Sequence, residues 1–99
     1  MRYVVKLTDE AIMEAEDAAE WYETQRYGLG VRFIRLLKLE LDTIAETPLA
    51  FPKVRRNIRG RTMGGFPYSI YYAMSDTQVN VIAVFHHSRN PDIWRKRIK

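Results

Sequence analysis

The spacing of apolar residues changes along the chain, from about 3.6 before Pro48 to about 2 after it, so helices are expected first and strands second. Ahead of the helices, Arg2-Tyr3-Val4-Val5-Lys6-Leu7 is rich in β-branched and aromatic residues, stops at Thr8-Asp9 and reads as a strand. Thr8 can cap the free amides of a following helix, and Asp9 and Glu10 sit where its dipole favours negative charge. Ile12, Ala15, Ala19 and Tyr22 make the apolar stripe of that helix, with Glu10, Glu14, Asp17 and Thr24 opposite, which predicts an acidic outer face. Gly28-Leu29-Gly30 interrupts the pattern, since glycine readily takes the left-handed conformation that ends a helix. In the next helix Phe33, Ile34, Leu37, Leu41, Ile44 and Ala45 form the buried side, Arg32, Arg35 and Asp42 the wet side, and Pro48 forbids continuation. So short a connection predicts an antiparallel αα-hairpin with one joint apolar surface.

In the second half, Val54 to Arg59 is a strand candidate dense in arginine, and Gly60 and Gly64-Gly65 permit turns or bulges. Phe66, Tyr68, Ile70, Tyr72 and Met74 alternate onto one face of the next strand, and Ser75-Asp76-Thr77 turns the chain. Val79 to His87 is apolar on both faces, Val79, Val81, Ala83 and Phe85 against Ile82 and Val84, as a central strand requires. Asn90 and Pro91 then open a short terminal turn through Trp94, followed by the basic tail Arg95 to Lys99. The order is β-α-α-β-β-β. It predicts a single α+β domain over residues 1–99, a helical hairpin packed on one face of a mainly antiparallel sheet, the other face free to stay open.

At 99 residues and 46% hydrophobic content the chain can build one core and not two. The net charge of +4 conceals an asymmetry: residues 1–49 carry ten acids and six bases, residues 50–99 two acids and ten bases. A basic half of this kind suits nucleic acid phosphates, an acidic protein segment, or simple solvation. The absence of cysteine removes disulfides and thiolate metal sites, and makes a reducing cytoplasm the expected setting. The N-terminal segment is too short and charged for a secretion signal, and no run is long enough for a membrane span. The histidines His86 and His87 are neighbours on a strand and so point to opposite faces; they cannot share one ion, and neither a metal nor another cofactor is expected.

The element order, the aromatic strand Phe66-Pro67-Tyr68-Ser69-Ile70-Tyr71-Tyr72 and the ending Val84-Phe85-His86-His87-Ser88-Arg89-Asn90-Pro91, with Trp94 after it, together resemble the RelE/ParE superfamily of toxins from type II toxin-antitoxin systems. The resemblance covers nearly the whole chain, and its most specific parts are the Pro-Tyr-x-Ile-x-Tyr strand and the His-x-x-Arg-x-Pro ending. It implies a cognate antitoxin that neutralises the toxin by wrapping a segment around it. It also implies that the pair represses its own promoter, the chain meeting operator DNA only through the antitoxin. RelE-like members cleave messenger RNA on the ribosome without a metal, whereas ParE-like members poison DNA gyrase. One scaffold serves both, so particular residues must decide.

Metal-free RNA cleavage needs a base for the 2′-hydroxyl, a cation at the phosphate and an acid for the leaving oxygen. Arg59 and Arg61 lie two apart on a strand and share a face, and Arg89 could join them from a neighbouring strand end to form a phosphate cluster. His86 or His87 could move a proton near neutral pH, and regular alternation pairs His87 with Arg89. Against this, RelE-like nucleases tend to carry a tyrosine near the C-terminus, or a Glu with a terminal His-Tyr pair. Here Trp94 follows Arg89, and Asp76 and Asp92 are the only acids after Glu46. The missing groups favour a ParE-like toxin acting on a protein target such as DNA gyrase. The alternatives are a ribosome-dependent endoribonuclease using His86, His87, Arg61 and Arg89, and a non-toxic basic binding module. Candidate contacts to target or antitoxin are Arg55, Arg56, Arg59, Arg61, Tyr72 and Trp94. Their plainer uses are a charged edge that deters strand pairing, a core tyrosine, and a tryptophan pinning the tail to the body.

Overall fold

The computed structural model describes residues 2–98. Strand β1 (Val4–Leu7) leads into α1 (Asp9–Gln25) and α2 (Leu29–Glu46), and a 3-10 turn (Pro48–Ala50) carries the chain to β2 (Lys53–Arg55), β3 (Ile58–Thr62), β4 (Tyr68–Ser75) and β5 (Gln78–His86), with a short α3 (Asp92–Arg95) at the end. The sheet order is β1-β5-β4-β3-β2, so the first and last strands of the chain are neighbours. They are parallel, and the other three pairings are antiparallel. No helix among the described residues is long and apolar enough to cross a membrane.

The helices form as their ends dictate. Thr8 caps α1 by accepting a hydrogen bond from the Ala11 amide, and Asp9 and Glu10 occupy the first turn. Beyond α1 the chain reverses through Gly28, whose φ of 83° is open to glycine at little cost. No cap of its own protects the start of α2. The Glu23 carboxylate of α1 serves instead, accepting from the amides of Gly28 (2.9 Å) and Gly30 (3.0 Å). The buried stripe of α1 is Ala11, Ala15 and Ala18, one step round from the expected one, and Ile12 is exposed. Small residues face the sheet there because α1 packs closely on β5. In α2, Phe33, Leu37, Ile44 and Ala45 are buried as expected, while Ile34 faces out.

Two differences from the expected strands have local causes. The arginine-rich run 54–59 is not one strand but a hairpin: Arg56 takes a φ of 51°, and β2 and β3 pair on either side of the Arg56-Asn57 turn. In β5 the register against β4 passes from Tyr71–Ala83 to Tyr72–Val81, leaving Ile82 as an extra residue. The bulge reverses the alternation after it. Val79, Val81 and Val84 therefore join the helix-side core with Ile70, Tyr72 and Phe33, and Ala83 and Phe85 face the other way. That second face is not open: Trp94 of α3 stacks on Tyr71 at 4.1 Å and closes a small core with Ile58, Ala83 and Phe85.

Of the glycines, the one with least room lies in the hairpin, where a Cβ on Gly30 would stand 2.3 Å from the Ala19 carbonyl oxygen. Gly30→Ala is expected to force the helices apart and lower stability by about 1–3 kcal/mol, read from the urea midpoint. An unchanged midpoint would mean that the crossing has slack.

Candidate functional site

Strand β1 pairs with only the first half of β5, from Val4–Gln78 to Leu7–Val81. The Thr8 amide makes one last bond to the Val81 carbonyl, and the chain leaves as α1. From Ile82 onward the outer edge of β5 has no strand beside it, and its polar groups need other partners. Side chains provide them. The Val84 amide donates to Glu14 Oε1 (3.2 Å), and Arg97 Nη1 donates to the Ile82 carbonyl (2.9 Å). The same Glu14 carboxylate accepts from Arg97 (2.9 and 3.1 Å) and from Arg89 Nη1 (2.7 Å), and its side chain is only 11% exposed. Arg89 also lies over the Phe85 ring at 4.3 Å.

Next to this knot is a cleft of about 320 Å³ between α1 and the ends of β4 and β5, with Glu14, Asp17, Trp21, Tyr68, His86 and Arg89 on its walls. The His86 ring meets Tyr68 edge-on at 5.0 Å. Its Nδ1 accepts from the Ser88 amide at 3.0 Å, so the neutral ring carries its proton on Nε2. Burial pushes the Tyr68 phenol up, the neighbouring Tyr22 and Glu14 add to the shift, and Arg89 opposes it, so the phenol is a hydrogen-bond donor at neutral pH. The cleft thus presents an imidazole, a phenol and a guanidinium, the last already held by a carboxylate.

His87 is on the other face of the sheet, as alternation requires, and its Nε2 lies 2.8 Å from the Oγ of buried Ser69, which is 3.3 Å from Thr62 Oγ1. The expected partnership of His87 with Arg89 does not form. β5 ends at His86, the Arg89 amide bonds back to the His86 carbonyl, and the turn swings Arg89 to Glu14, beside His86. Arg59 and Arg61 do share a face, but they are engaged elsewhere. Arg59 donates to the Phe51 carbonyl (2.6 Å), and Arg61 grips Glu40 of α2 and covers the Phe51 ring at 4.5 Å. The phosphate cluster of Arg59, Arg61 and Arg89 is therefore not assembled.

Two further candidate contact residues are placed in the core. Tyr72 is fully buried, its hydroxyl donating to the Pro48 carbonyl, and burial raises its phenol against the opposing pull of Arg59 and Arg61. Trp94 is buried on Tyr71. Neither offers surface to a partner in this state. Arg55 and Arg56 are exposed on the β2–β3 hairpin. Among the described residues, no group of three or more His, Asp or Glu is placed to hold a metal.

Glu14 was expected on the wet side of α1 and is instead the hub of the site. The alanines carried the signal: Glu14 follows Ala11 by three and precedes Ala18 by four, which borders it on the packed face. Glu14→Gln keeps the shape but leaves Arg89 and Arg97 without a counter-charge. The expected loss is about 2 kcal/mol, discounted for the partial exposure of Arg89, with hydrogen exchange at the Val84 amide accelerating first. Wild-type protection at that amide in the variant would refute the role given to the carboxylate.

The comparisons agree with this architecture. A solved chain of the chromosomal ParDE toxin-antitoxin system of P. aeruginosa superposes with a TM-score of 0.74 at 11% identity, covering 86% of this chain and 96% of that one. E. coli RelE, solved as a mutant in complex with a RelB antitoxin peptide, gives 0.60 at 20% identity, covering 100% of this chain and 97% of that one. No curated protein sequence is significantly similar. At such low identities the two structures attest to the fold alone. The family model of the ParE toxin of type II toxin-antitoxin systems, parDE, matches residues 5–91. Matching from β1 to the turn after β5, the chain belongs to the ParE toxin family of type II toxin-antitoxin systems.

Proposed function

We propose that this toxin arrests growth through a protein target of the DNA gyrase kind and is held in check by a cognate antitoxin. The observation that carries the reading is the dispersal of its cations. Arg61 is bound to Glu40, Arg59 to the Phe51 carbonyl and Arg89 to Glu14, so these three do not gather into a cluster for a scissile phosphate. The exposed Arg55 and Arg56 at the tip of the edge hairpin are the contacts we assign to the target. Membership of the ParE family supports the antitoxin, and operator DNA is reached only through it.

Purified chain is expected to inhibit gyrase supercoiling and to stabilise the cleavage complex. The Arg55→Ala, Arg56→Ala double variant should inhibit about tenfold less well, and His87→Ala as well as wild type. A folded, toxic preparation that leaves gyrase untouched would sink the proposal.

One feature favours a second reading. The cleft gathers His86, Tyr68 and Arg89, an imidazole, a phenol and a cation, within a space that fits a nucleotide phosphate. An endoribonuclease working there would leave new 5′ ends in primer extension on translated messages, and these would vanish with His86→Ala or Arg89→Ala. Growth arrest with intact messages rejects this reading.

A further inference from the structure

The outer surface of the helical hairpin, away from the sheet and the cleft, is divided lengthwise by charge. On α1 it carries Asp9, Glu16 and Glu20; on α2 it carries Arg32, Arg35 and Lys38, and all six are exposed. Among the described residues none of these six forms an ion pair, although salt bridges bind acids and bases elsewhere in the molecule. Between the two rows runs a groove of about 410 Å³ with Ala19, Gly30, Val31 and Ile34 on its floor and Glu20 and Arg35 on its banks. The apolar surface extends past it: Met13 (61%), Val31 (53%), Ile34 (42%) and Leu39 (60%) are all substantially exposed on this side of the hairpin. A scattered exposed leucine means little, but an apolar strip flanked by unpaired charges of opposite sign is a specific pattern.

We infer that this face is an isologous interface with a second copy of the same chain. The charges select the arrangement. A twofold axis across the helices would set α1 on α1, acid against acid, and is disfavoured. An axis along the groove sets α1 of one copy on α2 of its partner, so both acidic rows meet both basic rows and the apolar strips meet in the middle. Glu20 and Arg35 both line the groove, one from each helix. Such an axis sets the acidic row of each copy against the basic row of the other, and the four helices form a bundle. A hairpin of this length is about 25 Å long and about 20 Å wide, which gives about 1,000 Å² buried in total, near the lower bound for a specific contact. The dimer is accordingly weak, dependent on concentration, and weakened by salt. It leaves the cleft, and the Arg55-Arg56 hairpin on the far strand, uncovered, and so is independent of which target the toxin acts on.

Sedimentation equilibrium of the purified full-length chain, over a series reaching high micromolar concentration, tests it. Wild type is expected to move from monomer to dimer, with the dissociation constant rising about tenfold or more in strong salt. Ile34→Glu and Arg35→Glu should each leave a folded monomer by circular dichroism, and pairing Glu20→Arg with Arg35→Glu should restore the dimer. Wild type that stays monomeric throughout overturns the proposal, as does a dimer indifferent to Ile34→Glu. Failure of the charge swap to rescue overturns the axis along the groove. A monomer in which Ile34→Glu instead abolishes capture of the antitoxin gives this face to the antitoxin and also overturns it.

Discussion

Most of what is distinctive in this molecule follows from a mismatch of lengths. β1 has four residues and β5 has nine, and they run side by side, so half of the longer strand has no neighbour on that edge. Exposed strand edges invite pairing with other chains, and unpaired backbone groups at a half-buried edge are costly. Here α1 turns back over the gap and Glu14 fills it. One carboxylate replaces a strand's acceptor at the Val84 amide, while Arg97 replaces a donor at the Ile82 carbonyl, and the two side chains bond to each other. This charge-assisted closure ties α1, the bulge at Ile82, the turn after β5 and the C-terminal tail into one unit. The shape of the cleft beside it depends on all four.

The charge asymmetry of the two halves takes on a different meaning in three dimensions. A basic second half suggests an external polyanion, yet three of its ten bases are answered by the first half of the same chain: Arg89 and Arg97 by Glu14, and Arg61 by Glu40. Sign separation along the sequence becomes sign pairing across the fold. Two groups of exposed charges without an ion pair stand out among the described residues, the arginines of the β2–β3 hairpin and the two charged rows of the helical hairpin. Those are the surfaces on which a partner gains most from electrostatic attraction, because no internal contact must first be broken.

Periodicity made the helices, their order, the antiparallel hairpin and the aromatic face of β4 legible, because each rests on burial of one side of a regular element. Three features escaped it for physical reasons. The hairpin inside 54–59 turns on Arg56 at positive φ, a conformation that no glycine or asparagine at that position announces. The bulge at Ile82 adds one residue to a strand apolar on both faces, where alternation cannot register a slip. The site itself was half visible. Arg89 and His86 are both candidates by sequence, but regular alternation pairs Arg89 with His87, and only the turn after His86 brings Arg89 beside His86. Glu14 was placed among the solvated acids because charged residues on a helix usually are solvated. Tyr72 and Trp94 fit a partner surface or a core equally well by sequence, since aromatic residues serve both by the same physics, and the fold buries both.

The Glu14 contact also weighs between the two activities that this scaffold can support. A nuclease needs Arg89 free to follow charge onto a phosphate as the transition state forms. Here the guanidinium is bonded to a carboxylate that also carries the β5 edge, and a charge-assisted bond of this kind is worth about 1.5–3 kcal/mol before discounting for exposure. A phosphate could outbid Glu14 only by leaving that buried carboxylate to Arg97 and the Val84 amide. Those two partners make the exchange feasible, so Arg89 is restrained and not removed from play. The cost nonetheless falls on the reacting complex, where it subtracts from catalysis. A toxin that acts by binding a protein through the β2–β3 hairpin would bear no such cost, because Arg55 and Arg56 are exposed there and, among the described residues, hold no internal ion pair.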